Sequence, residues 1–277
     1  MSKNFGINMN IPVIKGDRKL VWGDCFNSSD IDRDIWTPVA WDVADIIQEW
    51  SDKTYYVKDG QAVLFSSKLQ PEEVNEDGKA YYTPCFLTTK DRMEFKYGYF
   101  EIKAQIPFYK GNSGAFWFVS TEKTATGYKA EFDMVEQLGS ERNVVSNLHA
   151  WGPNHASHDG TGKRENRSHT FESEPEVLRT ETHTYFMDWN PEHVDFGVDG
   201  EVYFHAPITE DAHPMFNNKV DMDTFRLPIY FILSEYLYTP ARKLGCSMKG
   251  DEEPFKYVMK VDHVALYQKD GEEIFFK

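Results

Sequence analysis

The chain has 277 residues and a formal net charge of −15, which argues against nucleic-acid or anionic-membrane partners because phosphate contacts need clustered Lys and Arg. Its mean hydropathy of −0.59 and the lack of a long apolar window exclude a transmembrane helix, and residues 1–18 show no apolar signal-peptide core. Its 20 Phe, 15 Tyr and 7 Trp favour β-strands and surfaces that stack on sugar rings.

The first half of the chain contains segments with the apolar–polar alternation of β-strands, which begin at Lys19 and include 55–67, 86–104 and 115–120. The Asp59-Gly60 turn predicts that 55–67 is a hairpin. Gly98 predicts a bend or bulge within one long strand over 86–104. Residues 32–50 predict a short helical or irregular insertion.

The second half predicts further short strands, at 130–136, 143–151, 183–189, 193–198, 202–205, 227–234 and 257–268. Turns at Asn190-Pro191 and Asp199-Gly200 predict hairpins between the strands at 183–189, 193–198 and 202–205. The apolar run 227–234 suits a strand that is buried on both faces. A long polar loop is expected from Gly152 to about Glu181. Many short strands with few helical periods predict an all-β sandwich or jelly roll. We expect a single domain over 1–277, with a core of about 19–270.

The stretch 130–139, AEFDMVEQLG, places three carboxylates in a strand-like segment. Alternation puts Glu131 and Asp133 on one face of the strand and would point Glu136 the opposite way. A β-bulge at Met134 and Val135 would return Glu136 to the shared face. The alternative is a solvated acidic strand face, because the chain carries 45 Asp and Glu.

The spacing of the outer two carboxylates also suits glycosidic chemistry. With the bulge, their backbones would lie about 13 Å apart at roughly 3.3 Å per residue. Side chains that lean inward could reach the roughly 5 to 5.5 Å of retaining glycosidases, whereas about 6.5 to 9.5 Å would suit an inverting enzyme.

The three cysteines, Cys25, Cys85 and Cys246, are odd in number and far apart. Their spacing implies neither a disulfide framework nor a metal site. We expect buried free thiols.

Motifs along the chain resemble those of glycoside hydrolase family 16, the laminarinase, lichenase, agarase and carrageenase group. They follow the family's order from about residue 20 to 268 and comprise WGDCF (22–26), YGYFEIKAQIP (97–107), GAFWF (114–118), the bulged E-x-D-x-x-E, THTYFMDW (182–189), VDG (198–200) and MKVDHVALYQ (259–268). The resemblance implies a concanavalin-like β-jelly-roll sandwich with a concave substrate cleft.

The resemblance also assigns roles to the three carboxylates. Glu131 would be the nucleophile, Glu136 the acid/base, and Asp133 the carboxylate that tunes the nucleophile. Like charges held close raise at least one pKa, which suits an acid beside an ionised partner. No cofactor is required for this chemistry.

Several substrate-binding residues follow from the same resemblance. Glu101 and Lys103 correspond to a Glu and an Arg on a neighbouring cleft strand, with a solvated cross-strand pair as the alternative. Trp117 would stack on a sugar from the cleft face or belong to the core, and alternation favours the cleft because its two Phe neighbours face the other way. His149 would bond a sugar near the cleavage point or be structural.

The resemblance also points to candidates later in the chain. Ser234 replaces an Asn that is common in the family, and the aromatic Tyr236 follows it. Trp151 precedes the loop 152–180, which is expected to help set the substrate; the histidines in and near that loop fit no tetrahedral zinc spacing. Asp262 is the candidate for a structural calcium on the convex face, a site that the resemblance implies.

The resemblance predicts a retaining endo-glycosidase that cuts β-1,3- or mixed β-1,3-1,4-glucan. Two alternatives stay open: endo-β-galactosidase activity on galactan, agar, carrageenan-like or mucin glycans, and a non-catalytic carbohydrate-binding protein on the same fold. We expect a monomer with a polysaccharide or oligosaccharide partner. The resemblance favours an extracellular location, although the sequence shows no signal peptide and an intracellular place stays open.

Overall fold

The computed structural model describes residues 11–39, 54–65, 67–68, 82–83, 85–107, 112–137, 143–152, 164–172, 178, 180–209, 220–237 and 258–277. In chain order the first ten strands are β1 (Ile14–Lys15), β2 (Arg18–Asp24), β3 (Thr37–Pro38), β4 (Tyr55–Lys58), β5 (Gln61–Phe65), β6 (Ser67–Lys68), β7 (Tyr82–Thr83), β8 (Cys85–Thr88), β9 (Met93–Lys96) and β10 (Gly98–Gln105). The next ten are β11 (Asn112–Ser120), β12 (Lys129–Glu136), β13 (Asn143–Trp151), β14 (Arg164–Glu172), β15 (His183–Trp189), β16 (His193–Val198), β17 (Glu201–Pro207), β18 (Ile229–Leu237), β19 (Val258–Gln268) and β20 (Glu273–Phe276), with a 3-10 helix at Met222–Arg226 between β17 and β18.

These strands form two large antiparallel sheets and one small pair. The first sheet has the order β1-β2-β19-β10-β15-β16-β17, with β5 also on β19 and β4 on β5. The second has the order β14-β13-β12-β11-β18-β8-β3, with β9 on β18 and β20 on β9, while β6 pairs with β7. The fold is the predicted all-β jelly-roll sandwich.

Aromatic side chains fill the space between the two large sheets. The ring of Phe100 on β10 lies 4.9 Å from that of Phe118 on β11 and 4.6 Å from that of Phe231 on β18, measured between centroids. All three side chains are fully buried. Because neighbouring residues on a strand point to opposite faces, these contacts fix which residues of each strand face outward.

Two tight turns match their sequence predictions. The Asp59-Gly60 pair has φ values of 53° and 72°, and the Asp199-Gly200 pair has φ values of 51° and 87°. Positive φ at both central residues is the hairpin geometry that Asp-Gly favours. The hairpins predicted around these turns are therefore confirmed.

The prediction of one long strand over 86–104 is wrong. The segment contains β8 and β9 of the second sheet and β10 of the first. The chain crosses between the sheets at Tyr97 and Gly98, whose φ values are 63° and 126°. A Cβ on Gly98 would lie 2.9 Å from the Tyr267 carbonyl oxygen, so this crossing needs a residue without a side chain.

The expected long polar loop after Gly152 contains a strand. β14 pairs with β13 from Asn143 opposite Glu172 to Trp151 opposite Arg164. In the sequence of β14, both the odd-numbered and the even-numbered positions are mostly polar. The segment therefore lacks the apolar–polar alternation by which a strand is recognised.

The described cysteines are free thiols. Cys85 is buried and Cys25 is half-buried. Burial raises the pKa of the Cys85 thiol to about 12 and that of Cys25 to about 11. The prediction of a buried free thiol is confirmed for Cys85, and Cys246 lies outside the described residues. In the part of the chain that the structure describes, no helix is long and apolar enough to cross a membrane.

Candidate active site

A β-bulge in β12 brings the three carboxylates to one face. Val135 pairs with Phe116 and Asp133 pairs with the next residue of β11, so Met134 has no partner there. Met134 and Val135 are each 1% exposed and both belong to the core. The predicted bulge is confirmed, and it turns Glu136 outward with Glu131 and Asp133. We call this outer face of the second sheet, which carries Glu131, Asp133, Glu136, Trp117 and His149, the carboxylate face.

His149 and Trp151 on β13 contact the first two carboxylates. The Nε2 atom of His149 lies 2.9 Å from Oδ2 of Asp133 and 3.7 Å from Oε1 of Glu131. The indole N–H of Trp151 donates to Oε2 of Glu131 over 3.1 Å. His149 and Asp133 are both buried, whereas the Glu131 side chain keeps 17% of its surface exposed. Glu131 is thus held by its neighbours and still reachable from solvent.

The third carboxylate is bonded by a residue that sequence reasoning missed. The side-chain amide of Asn147 donates to Oε2 of Glu136, and Asn147 is 5% exposed. The available signal was the alternation of Asn147, His149 and Trp151 in the segment NLHAW, which places all three on the face of β13 that meets the carboxylates.

Trp117 lies on the carboxylate face, as the alternation predicted. Its neighbours Phe116 and Phe118 are fully buried in the core between the sheets. The indole N–H donates to the hydroxyl of Ser234 over 3.1 Å, and Ser234 is fully buried. Ser234 therefore orients the ring, and contact between Trp117 and a sugar stays a prediction. Tyr236 lies two residues further along β18, with its backbone paired opposite Ser113, and its role in the cleft stays a prediction.

The placement of Glu101 and Lys103 on a cleft strand that neighbours Glu131, Asp133 and Glu136 is wrong. Both lie on β10 in the first sheet, and both face outward because Phe100 and Ile102 fill the core. Glu101 forms an ion pair with Lys15 and accepts a hydrogen bond from the Tyr267 hydroxyl over 3.3 Å. Alternation shows which residues face outward, and it does not tell which of two sheets a strand joins.

The surroundings of Glu101 determine its titration. Burial alone would raise the pKa of this carboxyl, but hydrogen bonds and charge interactions with His263 and Lys15 outweigh burial and lower the pKa. This balance is typical of a structural ion pair.

The described neighbours of Asp262 do not fit the expected calcium. Its carboxylate accepts a hydrogen bond from the side-chain amide of Gln61 and lies 4.0 Å from the Lys103 ammonium. Calcium takes about six to eight oxygen ligands, whereas an ammonium opposes a cation. Residues 66 and 69–81, which follow the Gln61 strand, lie outside the described residues.

Glu131, Asp133 and His149 also meet a geometric condition for a metal, because one donor atom from each lies within 4.8 Å of the others. The 2.9 Å contact between His149 Nε2 and Asp133 has the length of a charge-assisted hydrogen bond. A hydrogen bond between His149 and Asp133 therefore explains the short distances among these three residues without a metal.

A protein-family model identifies the family to which the chain belongs. The model of glycosyl hydrolases family 16 matches residues 44–225, a span that contains the bulged carboxylate strand. The chain is a member of glycosyl hydrolases family 16.

Curated relatives of this family 16 chain include two glucanases. It is 25% identical over 267 residues to a beta-glucanase of Rhodothermus marinus, with 90% of this chain and 85% of that protein covered. It is 23% identical over 280 residues to glucan endo-1,3-beta-glucosidase A1 of Niallia circulans, with 93% of this chain but 39% of that protein covered.

Solved structures confirm the family fold. The catalytic domain of a Thermotoga petrophila endo-1,3-beta-glucanase (laminarinase) aligns with a TM-score of 0.68 at 22% identity, over 92% of this chain and 99% of that one. A structure from work on endo-acting O-glycanases with which human gut microbiota initiate mucin breakdown aligns with a TM-score of 0.69 at 24% identity, over 93% of each chain. At these identities the likeness is one of fold.

Proposed function

We propose that this family 16 protein is a retaining endo-glycosidase that hydrolyses internal β-1,3 or mixed β-1,3-1,4 linkages of glucans. The observation that carries the proposal is the bulge in β12, which puts Glu131 and Glu136 on one outward face with Asp133 between them. The glucanase names of the curated relatives support the choice of glucan.

In the first step Glu131 attacks the anomeric carbon while Glu136 protonates the departing glycosidic oxygen. The bond from the anomeric carbon to the leaving oxygen breaks, and an α-linked glycosyl ester of Glu131 forms. In the second step Glu136 takes a proton from water, and that water displaces Glu131. Two inversions return the β configuration.

The neighbouring side chains prepare the two acids for these steps. The Trp151 indole N–H holds one oxygen of Glu131 and so orients the carboxylate for attack. The Asn147 amide holds one oxygen of Glu136 in the same way. His149 contacts the Asp133 carboxylate and so stabilises a negative charge on Asp133, next to the nucleophile. Fixed donors of this kind orient the reacting groups before the substrate arrives.

Following the product anomer by proton NMR during the first minutes of laminarin hydrolysis tests the proposal. We expect β product first, followed by slow mutarotation, and an initial α product would overturn the retaining mechanism. Glu131→Gln should abolish turnover and keep substrate affinity, with Glu101→Gln as the matched control outside the site. Binding without product on every glycan that binds would show a carbohydrate-binding protein instead.

A panel of laminarin, lichenan, agarose, carrageenan, galactan and mucin tests the choice of glycan. We expect cleavage of laminarin, lichenan or both. Cleavage confined to the galactose-containing glycans would identify the galactan- or mucin-directed alternative and would leave the retaining mechanism intact.

We also propose that the enzyme acts as a monomer and without a cofactor, because the two-carboxylate chemistry needs neither a second subunit nor a metal. Light scattering after gel filtration should give the mass of one chain. Hydrolysis should be unchanged after treatment with EDTA, and a loss of activity that added metal restores would refute the cofactor-free proposal.

A further inference from the structure

A second group of side chains that could bind a metal lies on β16 and β17 of the first sheet, whereas the carboxylate face belongs to the second sheet. His193 and Asp195 are two residues apart on β16, and His205 on β17 is the cross-strand partner of Asp195. The Nδ1 atom of His205 lies 2.6 Å from Oδ1 of Asp195, and Nε2 of His193 lies 3.5 Å from Oδ2. One donor atom from each of the three lies within 4.8 Å of the others.

The three side chains point away from the core and are open to solvent. Val194, Phe196, Phe204 and Ala206, which alternate with them, are buried. The side chains of His193, Asp195 and His205 keep 31%, 20% and 57% of their surface exposed. An ion can therefore reach them without any opening of the fold, and the glycosidase chemistry proposed for the second sheet makes no use of them.

We propose that His193, Asp195 and His205 bind a divalent transition-metal ion, with zinc as the best match. Two imidazole nitrogens and one carboxylate form a ligand set that zinc prefers, with water as the fourth ligand of a tetrahedron. Calcium and magnesium take oxygen ligands, so the two histidines disfavour them.

The sheet holds the ligands in place before the ion arrives. Residues at i and i+2 share a face, and directly opposed residues of an antiparallel pair have Cβ atoms about 4.5 to 5.5 Å apart. The hydrogen-bonded backbone of β16 and β17 thus fixes all three starting points. Only side-chain rotation is needed to bring the donors to the zinc–nitrogen distance of about 2.0 to 2.1 Å.

Binding has a defined proton balance. Without metal, the His205 Nδ1–H group donates to Asp195 across their 2.6 Å contact. In the neutral ring, zinc takes the place of this proton between the nitrogen and the carboxylate oxygen, and the proton moves to Nε2, so the imidazole binds as the other neutral tautomer with no net loss of a proton. The same ion displaces the Asn190 amide nitrogen, which lies 3.0 Å from Nε2 of His193 in the absence of metal.

Isothermal titration of the full chain with zinc chloride tests the proposal, with Asp195→Asn and His205→Ala as the variants. We expect each variant to bind zinc more weakly by at least the roughly 10- to 100-fold that loss of an outer-shell partner costs a metal site. Cobalt(II) should give a visible absorption spectrum of tetrahedral type in the wild type and lose it in both variants.

Two controls separate this site from other binding. His183→Ala removes a histidine that pairs with Asp199 over 2.6 Å on the same sheet, and it should bind zinc like the wild type. His149→Ala removes the histidine of the carboxylate face and should keep the cobalt spectrum. Equal zinc affinity in the wild type, Asp195→Asn and His205→Ala would overturn the proposal, as would loss of the spectrum in His149→Ala alone.

Discussion

Each large sheet carries carboxylates beside a histidine on its outer face, and the two groups have different partners. On the first sheet, Glu101 pairs with the Lys15 ammonium, which also lies 4.3 Å from the centre of the Tyr99 ring. On the second sheet, Glu131 accepts a hydrogen bond from the Trp151 indole and Glu136 accepts one from the Asn147 amide.

The difference between the two groups lies in what the partner does to the carboxylate. Burial would raise the pKa of Glu101, but a hydrogen bond with His263 and the contact with the Lys15 ammonium lower it, so this carboxylate serves to hold β1 against β10. Indole and amide donors orient an oxygen without cancelling its charge. A nucleophile and a proton carrier need that remaining charge and basicity.

The largest effect that should separate the two groups is on turnover. Glu131→Gln removes the nucleophile and should lower kcat by at least about 10⁴-fold, whereas Glu101→Gln should keep kcat near the wild-type value. Initial rates on the preferred glucan measure both. In Glu131→Ala, added azide should restore turnover and give an α-glycosyl azide, because a small anion can attack where the carboxylate stood. Full activity in Glu131→Gln would refute the assignment.

Loss of the Asn147 amide should have the next largest effect. Hydrogen bonds to charged groups contribute about 1.5 to 3 kcal/mol, so Asn147→Ala should lower kcat by roughly 10- to 100-fold. The basic limb of the pH–rate profile should move to higher pH, because the lost bond favoured the ionised form of its partner. A fall in kcat with an unchanged profile and a lowered melting temperature would indicate a merely structural role.

Glu101→Gln should act on stability instead of turnover. We expect a loss of about 1 to 3 kcal/mol in the free energy of unfolding at neutral pH. Because the folded pKa of Glu101 is lowered, its contribution is present above the unfolded value of about 4.3 and disappears as the pH falls through the folded pKa.

Urea unfolding of the wild type and Glu101→Gln at several pH values measures this, and the gap between them should close in acid. If Glu101→Gln had wild-type stability and reduced turnover, Glu101 would instead be a substrate-binding residue.

The smallest expected effect concerns Glu235, whose side chain is 1% exposed. Burial raises the pKa of this carboxyl well above its usual value. Its stabilising contribution is therefore complete below the unfolded pKa of about 4.3 and is lost as the pH rises through the folded pKa. Glu235→Gln should be more stable than the wild type by about 1 kcal/mol at high pH. Urea unfolding across pH checks this, with the exposed Glu201→Gln as a control that should show no such trend.

The bulged strand β12 and its neighbour β11 could be predicted from the sequence because their residues carry two independent signals. The odd spacing of Glu131 and Glu136 required a bulge, and the alternation of Phe116, Trp117 and Phe118 required an outward Trp. The bounds of β13, β15 and β16 also agree with prediction, since apolar residues alternate with polar ones along each of them.

The remaining features depend on information that a linear pattern does not contain. The alternation of β10 is equally compatible with either sheet, so only the family resemblance assigns Glu101 and Lys103 to a cleft strand, and the structure has them in the other sheet. β14 lacks an apolar period altogether. The hydrogen bond between Asn147 and Glu136 depends on the pairing register of β12 with β13. The bulge shifts this register, so the sequence of either strand alone does not show which residues are opposite each other.

The bulge at Met134 and Val135 also sets how this strand tolerates changes in length. Two residues of β12 occupy the space opposite one residue of β11, so the strand holds a spare residue that its neighbours do not match. Deletion of either Met134 or Val135 would leave an even spacing between Glu131 and Glu136 and keep both on one face as a regular strand. The shared face of these two glutamates is thus protected against a single-residue deletion at the point where a strand is ordinarily most sensitive to one.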